Sequence, residues 1–469
     1  MKHIPPTRRA FALYSLALLA FFIAGVMVWK GNGKSQSDQT DDSASRLRNT
    51  GASAGNTGTL GATQAPPRSK TKFRIREKQL PYWVRHPREI QNLTPEMAKL
   101  LVLNFEGDFL NLSTLTTLDA ETAKALAEFK GDFLNLSGLT TLDTETAKAL
   151  AEFKGRSLNL DGLTTLDAET AKALAEFNGE YMDLSALTTL DTETAKALAE
   201  FEGEELDLDG LTTLDAESAK ALAEFKGNLD LRSLTTLDTE TAKALAESNA
   251  YELYLSGLTT LDTETAKALA EYKGEYMNLS GLTTLNAETA KALAEFKGNL
   301  KLRSLTTLDA ETAKALAEFK GRSLSLNGLT TLDTETAKAL VEFKGDQLYL
   351  DGLTTFDTET AKALAEYKGD RLVLRSLTTL DAETAKALAE SKGGRLYLGL
   401  TTLNAETAKA LAEFKGEYMD LEGLTTLNTE TAKALAEFKG EFRLSLDGLT
   451  TLDAEAAKAL EKFKGKISR

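Results

Sequence analysis

Cysteine is absent from all 469 residues of this chain. Disulfide bridges and thiolate metal sites are thereby excluded. Histidine is almost absent: His3 and His86 are the only two, and neither lies in the repeated part of the chain. Imidazole acid–base catalysis and histidine metal clusters are excluded there too. Proline stops early, with all seven at or before Pro95, so no residue beyond it breaks a helix or strand in the way proline does. No phosphate-binding loop, dinucleotide fingerprint, nucleophile elbow or HExxH zinc motif occurs. The chain is expected to be no enzyme and to need no cofactor.

A repeat fills the rest. From Phe109 onward, fifteen near-copies of LxLxGLTTLDxETAKALAEFKG follow one another. Their helix-starting Asp or Asn runs from Asp119 to Asp453 at spacings of 23 to 25 residues. Such a period marks a solenoid, in which each unit buries its apolar face only against its neighbours.

One copy, residues 132–155, shows why each unit reads as strand, turn and helix. Leu134 and Leu136 alternate with Phe133, Asn135 and Ser137, which puts the leucines on one face of a short strand. Leu139 and Leu142 follow through a tight connection. Asp143 is placed to cap a helix, with Glu145 in its first turn. Ala147, Leu150 and Ala151 share one helix face, with Phe153 at its edge. Lys154 suits the helix C-terminus, and Gly155 is expected to end the helix in a left-handed conformation. Strands separated by helices stack in parallel about 4.8 Å apart, whereas helices need about 8–10 Å, so the array should bend with its strands inside.

Charge is divided. Residues 1–92 carry a balance of +10 and residues 93–469 one of −25. An acidic solenoid favours basic or cationic partners, and nucleic acid is not expected among them. Residues 1–9 form a basic leader assigned to the cytoplasm. Residues 10–29 hold no charge and at 1.5 Å per residue span roughly 30 Å, enough for a transmembrane signal-anchor helix, with a cleaved signal peptide as the alternative. Lys2, Arg8 and Arg9 before the span favour an exported repeat domain, periplasmic or extracellular. Residues 30–70 read as a flexible low-complexity linker. Residues 71–107 read as an N-terminal cap with a degenerate repeat, in which Phe73, Ile75, Tyr82 and Trp83 cover the solenoid end. The solenoid itself is residues 108–469.

The LxL strand and the LTxL…AKAL unit resemble leucine-rich repeats, and in particular the leucine-rich-repeat-like proteins of bacterial membranes and surfaces. The resemblance implies an α/β fold, a right-handed solenoid of about 15 strand–turn–helix units, with a protein or other ligand bound on the strand face. One departure is clear. Many members place Asn or Cys three residues after the second strand leucine, and here Leu139 and its counterparts occupy that place.

Variation gathers at outward strand positions. Between the strand leucines the first half carries Asn111, Asn135, Asn159, Asp183, Asp207 and Asp230, and later units bring Tyr254, Lys301, Tyr349 and Tyr397. Arg232, Arg303 and Arg375 recur every three units. Duplication of three-unit blocks accounts for that superperiod, and so does a striped binding surface. Arg and Tyr favour binding hot spots, which makes Arg232, Tyr254, Arg303, Tyr349, Arg375 and Tyr397 the partner-binding candidates. Asp183, Asp207 and Asp230, in register, are either a solvated acidic face or a weak oxygen-rich cation site. The Glu145–Lys148 pair recurs in each unit and reads as solvated helix surface. The expected function is a membrane-anchored, non-enzymatic binding scaffold at the cell envelope. The alternatives are a structural, self-associating spacer and, least favoured, an enzyme at the cap near His86.

Overall fold

A computed structural model describes residues 80–438 and 443–468. The leader 1–9, the span 10–29, the linker 30–70 and residues 71–79 of the cap lie outside the described residues. Among the described residues no helix is long and apolar enough to cross a membrane. The described residues belong to one compact unit.

Period-two strands and capped helices alternate as the repeat dictates. Sixteen short strands build one parallel sheet in chain order. Register is unit on unit: Leu110 pairs Leu134, and Leu134 pairs Leu158. The sixteenth strand, Lys466–Ser468, pairs with Arg443–Ser445 and was not expected from the repeat count. Its sequence, KIS, keeps only one apolar residue of the LxL pattern.

Each repeat helix, from Ala120–Ala127 to Ala454–Leu460, begins at its acidic or amide cap. Asp143 accepts the Thr146 amide at 2.8 Å and the helix runs Thr144–Ala151. The cap satisfies one of the backbone donors that a helix start leaves open. The helices are shorter than the sequence suggests. Phe153 and Lys154 follow the C-cap Glu152 and belong to the return towards the next strand.

Phe153 is fully buried rather than at an edge. It stacks between Phe129 and Phe177, with centroids 6.1 and 6.0 Å away and rings within 9° of parallel. The ladder continues to Phe225. Equivalent rings sit about 6 Å apart, while strands sit about 4.8 Å apart. Units therefore fan outward from the sheet, and the strand face is the inner side of the bend.

The ring also corrects the reading of the glycine. Gly155 does not adopt the left-handed conformation. A Cβ at Gly155 would instead lie 2.1 Å from Phe153 Cζ and 2.8 Å from the Asp132 carbonyl oxygen. Glycine makes room for the ring. Where Ser248 replaces the phenylalanine, Ala250 replaces the glycine and is buried.

The described part of the cap is built from short helical segments. Thr94 caps the helix Pro95–Asn104, which packs on the helix Ala120–Ala127. Val84 and Ile90 are buried, and the Thr114 hydroxyl contacts the carbonyls of Arg88 and Ile90. Trp83 packs against the core. Tyr82 does not: it is exposed and stacks on the His86 ring at 3.8 Å.

Candidate binding surface on the strand face

In each repeat strand the buried central leucine or methionine is flanked by residues of the opposite face, so two outward rows run across the sheet. A third row follows the second leucine. The middle row contains the Asn and Asp residues. Their first task is local. Asn135 Oδ1 accepts the Ser137 amide at 3.0 Å, and Asn159, Asp183, Asp207 and Asp230 do the same for the residue two positions on. This turn needs a short side chain ending in an oxygen, which explains the run of Asn and Asp. An Asx residue two positions before the turn was the sequence signal for it.

Register then stacks the carboxylates. Asp183 pairs Asp207 and Asp207 pairs Asp230, so like charges stand about 5 Å apart. They are not the solvated face expected. Asp183 and Asp230 are buried, and Asp207 is half-buried. Burial pushes the Asp183 carboxyl up to about 6, against the opposing hydrogen bonds from Ser185. Burial pushes Asp230 up to about 7 even with Arg232 beside it. Glu205, on the first row, is pushed up to about 7 by burial and by Asp207. Among the described residues no group of three acidic or histidine side chains is arranged to hold a metal ion.

Of the six partner-binding candidates, the sheet brings four together as pairs. The Arg232 guanidinium lies 5.2 Å from the Tyr254 ring centre and forms an ion pair with Asp230. Arg375 lies 5.1 Å from the Tyr397 ring and pairs with Asp420 at 3.4 Å. These stacked cations are attracted by the ring quadrupole. The other two stay apart. Arg303 is exposed, since Ser325 stands where the next unit would need a tyrosine. Tyr349 donates its hydroxyl to Gln347 at 2.8 Å.

The first row was missed from sequence. It adds Tyr181, Glu205, Glu252, Tyr276, Arg371, Arg395, Tyr418 and Arg443 to the same face. The signal was available: the residue before the first strand leucine has the same parity as the one after it. Tyr181 donates to Asp207 at 2.8 Å, and Lys301 pairs with Glu252 while lying 5.3 Å from the Tyr276 ring. Tyr397 and Tyr418 rings meet at 5.3 Å.

Elsewhere the surface is uniform. On the helices, Lys148–Glu145 at 2.8 Å is repeated as Lys196–Glu193, Lys243–Glu240 and others, all well exposed. Open grooves at the helix ends are lined by repeat residues such as Lys314, Glu318, Phe319 and Lys344. At the cap, His86 Nδ1 lies 3.0 Å from the Tyr82 carbonyl oxygen, on the exposed surface.

No protein-family model matches the chain, and no curated protein matches it. Among solved structures it is similar to TLR13 in a complex with ssRNA13, at 19% identity and a TM-score of 0.41. That likeness covers 81% of this chain and 64% of the TLR13 chain, so this chain matches less than two thirds of that length. It is also similar to an internalin, InlF, from Listeria monocytogenes, at 14% identity and a TM-score of 0.39, over 71% of this chain and 92% of the internalin. Neither likeness extends to what those proteins bind. The class of this protein rests on its own geometry: a solenoid of parallel strands and capped helices, similar in architecture to leucine-rich repeats.

Proposed function

We propose that this chain is a non-enzymatic binding scaffold whose strand face holds a protein or other ligand. One observation carries the reading. Inner-face and helix positions are nearly invariant along the array, while the three outward strand rows vary in charge, size and aromatic content. A surface serving only as a spacer has no use for that difference. Tyrosine and arginine stacked in pairs are residues that anchor interfaces. The acidic balance of the solenoid speaks for cationic partners and against nucleic acid.

The residues 1–34 pattern supports an anchor through 10–29 with the repeats exported to the periplasm or exterior. Protease added to intact cells should digest the repeats. Protection that is lost only on lysis reverses the orientation.

Partner capture tests the binding role. The full chain in detergent should retain a defined partner, and Tyr254→Ala with Tyr397→Ala should lose it. A spacer would instead self-associate through its uniform helix face. Equal capture by the variant, combined with loss on altering Lys148 and Lys196, would favour the spacer.

A further inference from the structure

Charge on the strand face reverses towards the C-terminal end. On the first outward row, Glu205 and Glu252 of earlier strands give way to Arg371, Arg395, Tyr418, Arg443 and Lys466 on five neighbouring strands. At about 4.8 Å per rung this row is about 19 Å long. Its cations repel one another across the rungs.

The chain's own carboxylates serve these cations poorly. Arg371 and Arg395 share Asp370, with Nε to Oδ2 distances of 3.9 and 3.5 Å. Arg375 reaches Asp420 at 3.4 Å. A charge-assisted hydrogen bond closes to about 2.7–2.9 Å, as Arg322 does on Asp346 at 2.7 Å. The Arg371 Nε is buried and has no hydrogen-bond acceptor. Among the described residues no carboxylate forms an ion pair with Arg443 or Lys466, and the exposed Glu417 beside the row pairs with neither.

Aromatic rings hold the arginines instead. Arg371 and Arg375 lie 5.9 and 5.1 Å from the Tyr397 ring centre. Arg443 lies 6.0 Å from the Tyr418 ring, and the two rings meet at 5.3 Å. A ring face attracts a guanidinium without accepting its in-plane N–H groups.

We propose that this arginine–tyrosine cluster receives the side-chain carboxylates of an extended acidic peptide segment of the partner. The proposal rests on the strand-face reading above and goes past it. The overall acidity of the solenoid suits cationic partners, whereas this end suits an anionic one. The guanidinium fork matches a carboxylate with two parallel hydrogen bonds. Bound carboxylates supply at close range the acceptors that Asp370 and Asp420 offer only at long range.

The borders of the row select a narrow ligand. Asp420 is buried on the middle row, and Glu422 and Asp447 are exposed on the third, about 13 Å from the first. A membrane surface or a nucleic-acid duplex is wider than that and would set its phosphates against these carboxylates. An extended peptide carries alternate side chains on one edge, about 6.7 Å apart, and can lay its carboxylates along the first row alone.

The test is calorimetric titration of the full chain in detergent with an end-blocked peptide of alternating glutamate and serine. Arg395→Gln with Arg443→Gln should weaken binding about tenfold or more. Lys148→Gln with Lys196→Gln, an equal charge change on the helix face, should leave it within about twofold. Oligoglutamate of the same length should gain no more than about twofold, since its added carboxylates face Glu422 and Asp447. Circular dichroism checks that each variant is folded. Arg443→Gln alone, at an exposed position, serves if the pair is not, and should weaken binding about threefold or more. Equal weakening by the strand-face and helix-face changes, or absence of binding to the unaltered chain, overturns the proposal. A tenfold gain for oligoglutamate overturns the single-row geometry, and oligouridylate binding as tightly as the peptide overturns the peptide assignment. If strand-face tyrosine variants still lose the natural partner while the peptide ignores Arg395 and Arg443, the scaffold reading stands and this proposal falls.

Discussion

Two ladders cross the N-terminal half of this solenoid, and they have opposite energetic signs. Inside, phenylalanine stacks on phenylalanine from Phe129 to Phe225 at about 6 Å. Outside, Asp183 stands over Asp207 and Asp207 over Asp230. In-register repetition multiplies whatever the pair interaction is. Apolar rings gain area burial and favourable stacking with each added unit. Like carboxylates gain repulsion. A repeat can therefore copy its inner residues without limit, while its outward residues must vary or find partners. Arg232 and Lys301 are such partners inside the chain.

The inner ladder should give the largest losses. Phe177→Ala is expected to cost about 3–5 kcal/mol in urea unfolding, since the ring is fully buried between two others. A loss below about 1 kcal/mol would show that the ladder does not hold the units together. The glycine beneath each ring sharpens the same point. Gly179→Ala places a Cβ 2.1 Å from Phe177 Cζ and should cost about 1–3 kcal/mol. Adding the double change Phe177→Ser, Gly179→Ala reproduces the pairing seen at Ser248 and Ala250. It should be less destabilising than the sum of its two single changes. Additivity would break the steric account.

The outer ladder predicts a stability profile in pH. For Asp183, Glu205 and Asp230 the folded-state carboxyls lie near 6 to 7, above the unfolded values of about 4. The folded chain thus binds more protons than the unfolded chain between about pH 4 and 7, so stability falls as pH rises through that window. The helix caps act oppositely. Hydrogen bonds from Thr241 and Thr265 hold Asp238 and Asp262 below the usual range. That contribution is present above about pH 4 and disappears in stronger acid. Thermal unfolding should therefore be most resistant near pH 4–5. Asp183→Asn with Asp230→Asn should flatten the fall between pH 5 and 7, on the order of 2 kcal/mol. An unchanged slope would mean that the acidic ladder is already neutralised.

The smallest effect belongs to a single cap. Asp167 accepts the Thr170 amide at 2.8 Å, and Asp167→Ala should cost about 1 kcal/mol. Because each unit contacts only its neighbours, that loss should be nearly the same at Asp309, whose carboxylate accepts Thr312 at 2.7 Å. Unequal losses at the two sites would show that the units are less equivalent than their sequences.

By itself the sequence determined the period, the strand leucines, the acidic helix caps and the parallel register. These follow from local rules, and each unit states them again, so a single copy suffices to read them. Gly155 was misread because a glycine after a helix usually serves backbone conformation, and only packing shows the Phe153 ring in the Cβ position. The pairing of Arg232 with Tyr254 and Arg375 with Tyr397, and the absence of a tyrosine beside Arg303, depend on which residue the next unit places one rung away. The depth of Asp183 and Asp230 also depends on neighbours, since outward parity fixes a direction and not exposure. The solenoid is written in contacts within one unit and between identical units. The strand-face site is written in contacts between units that differ, and those came into view only when the strands were stacked.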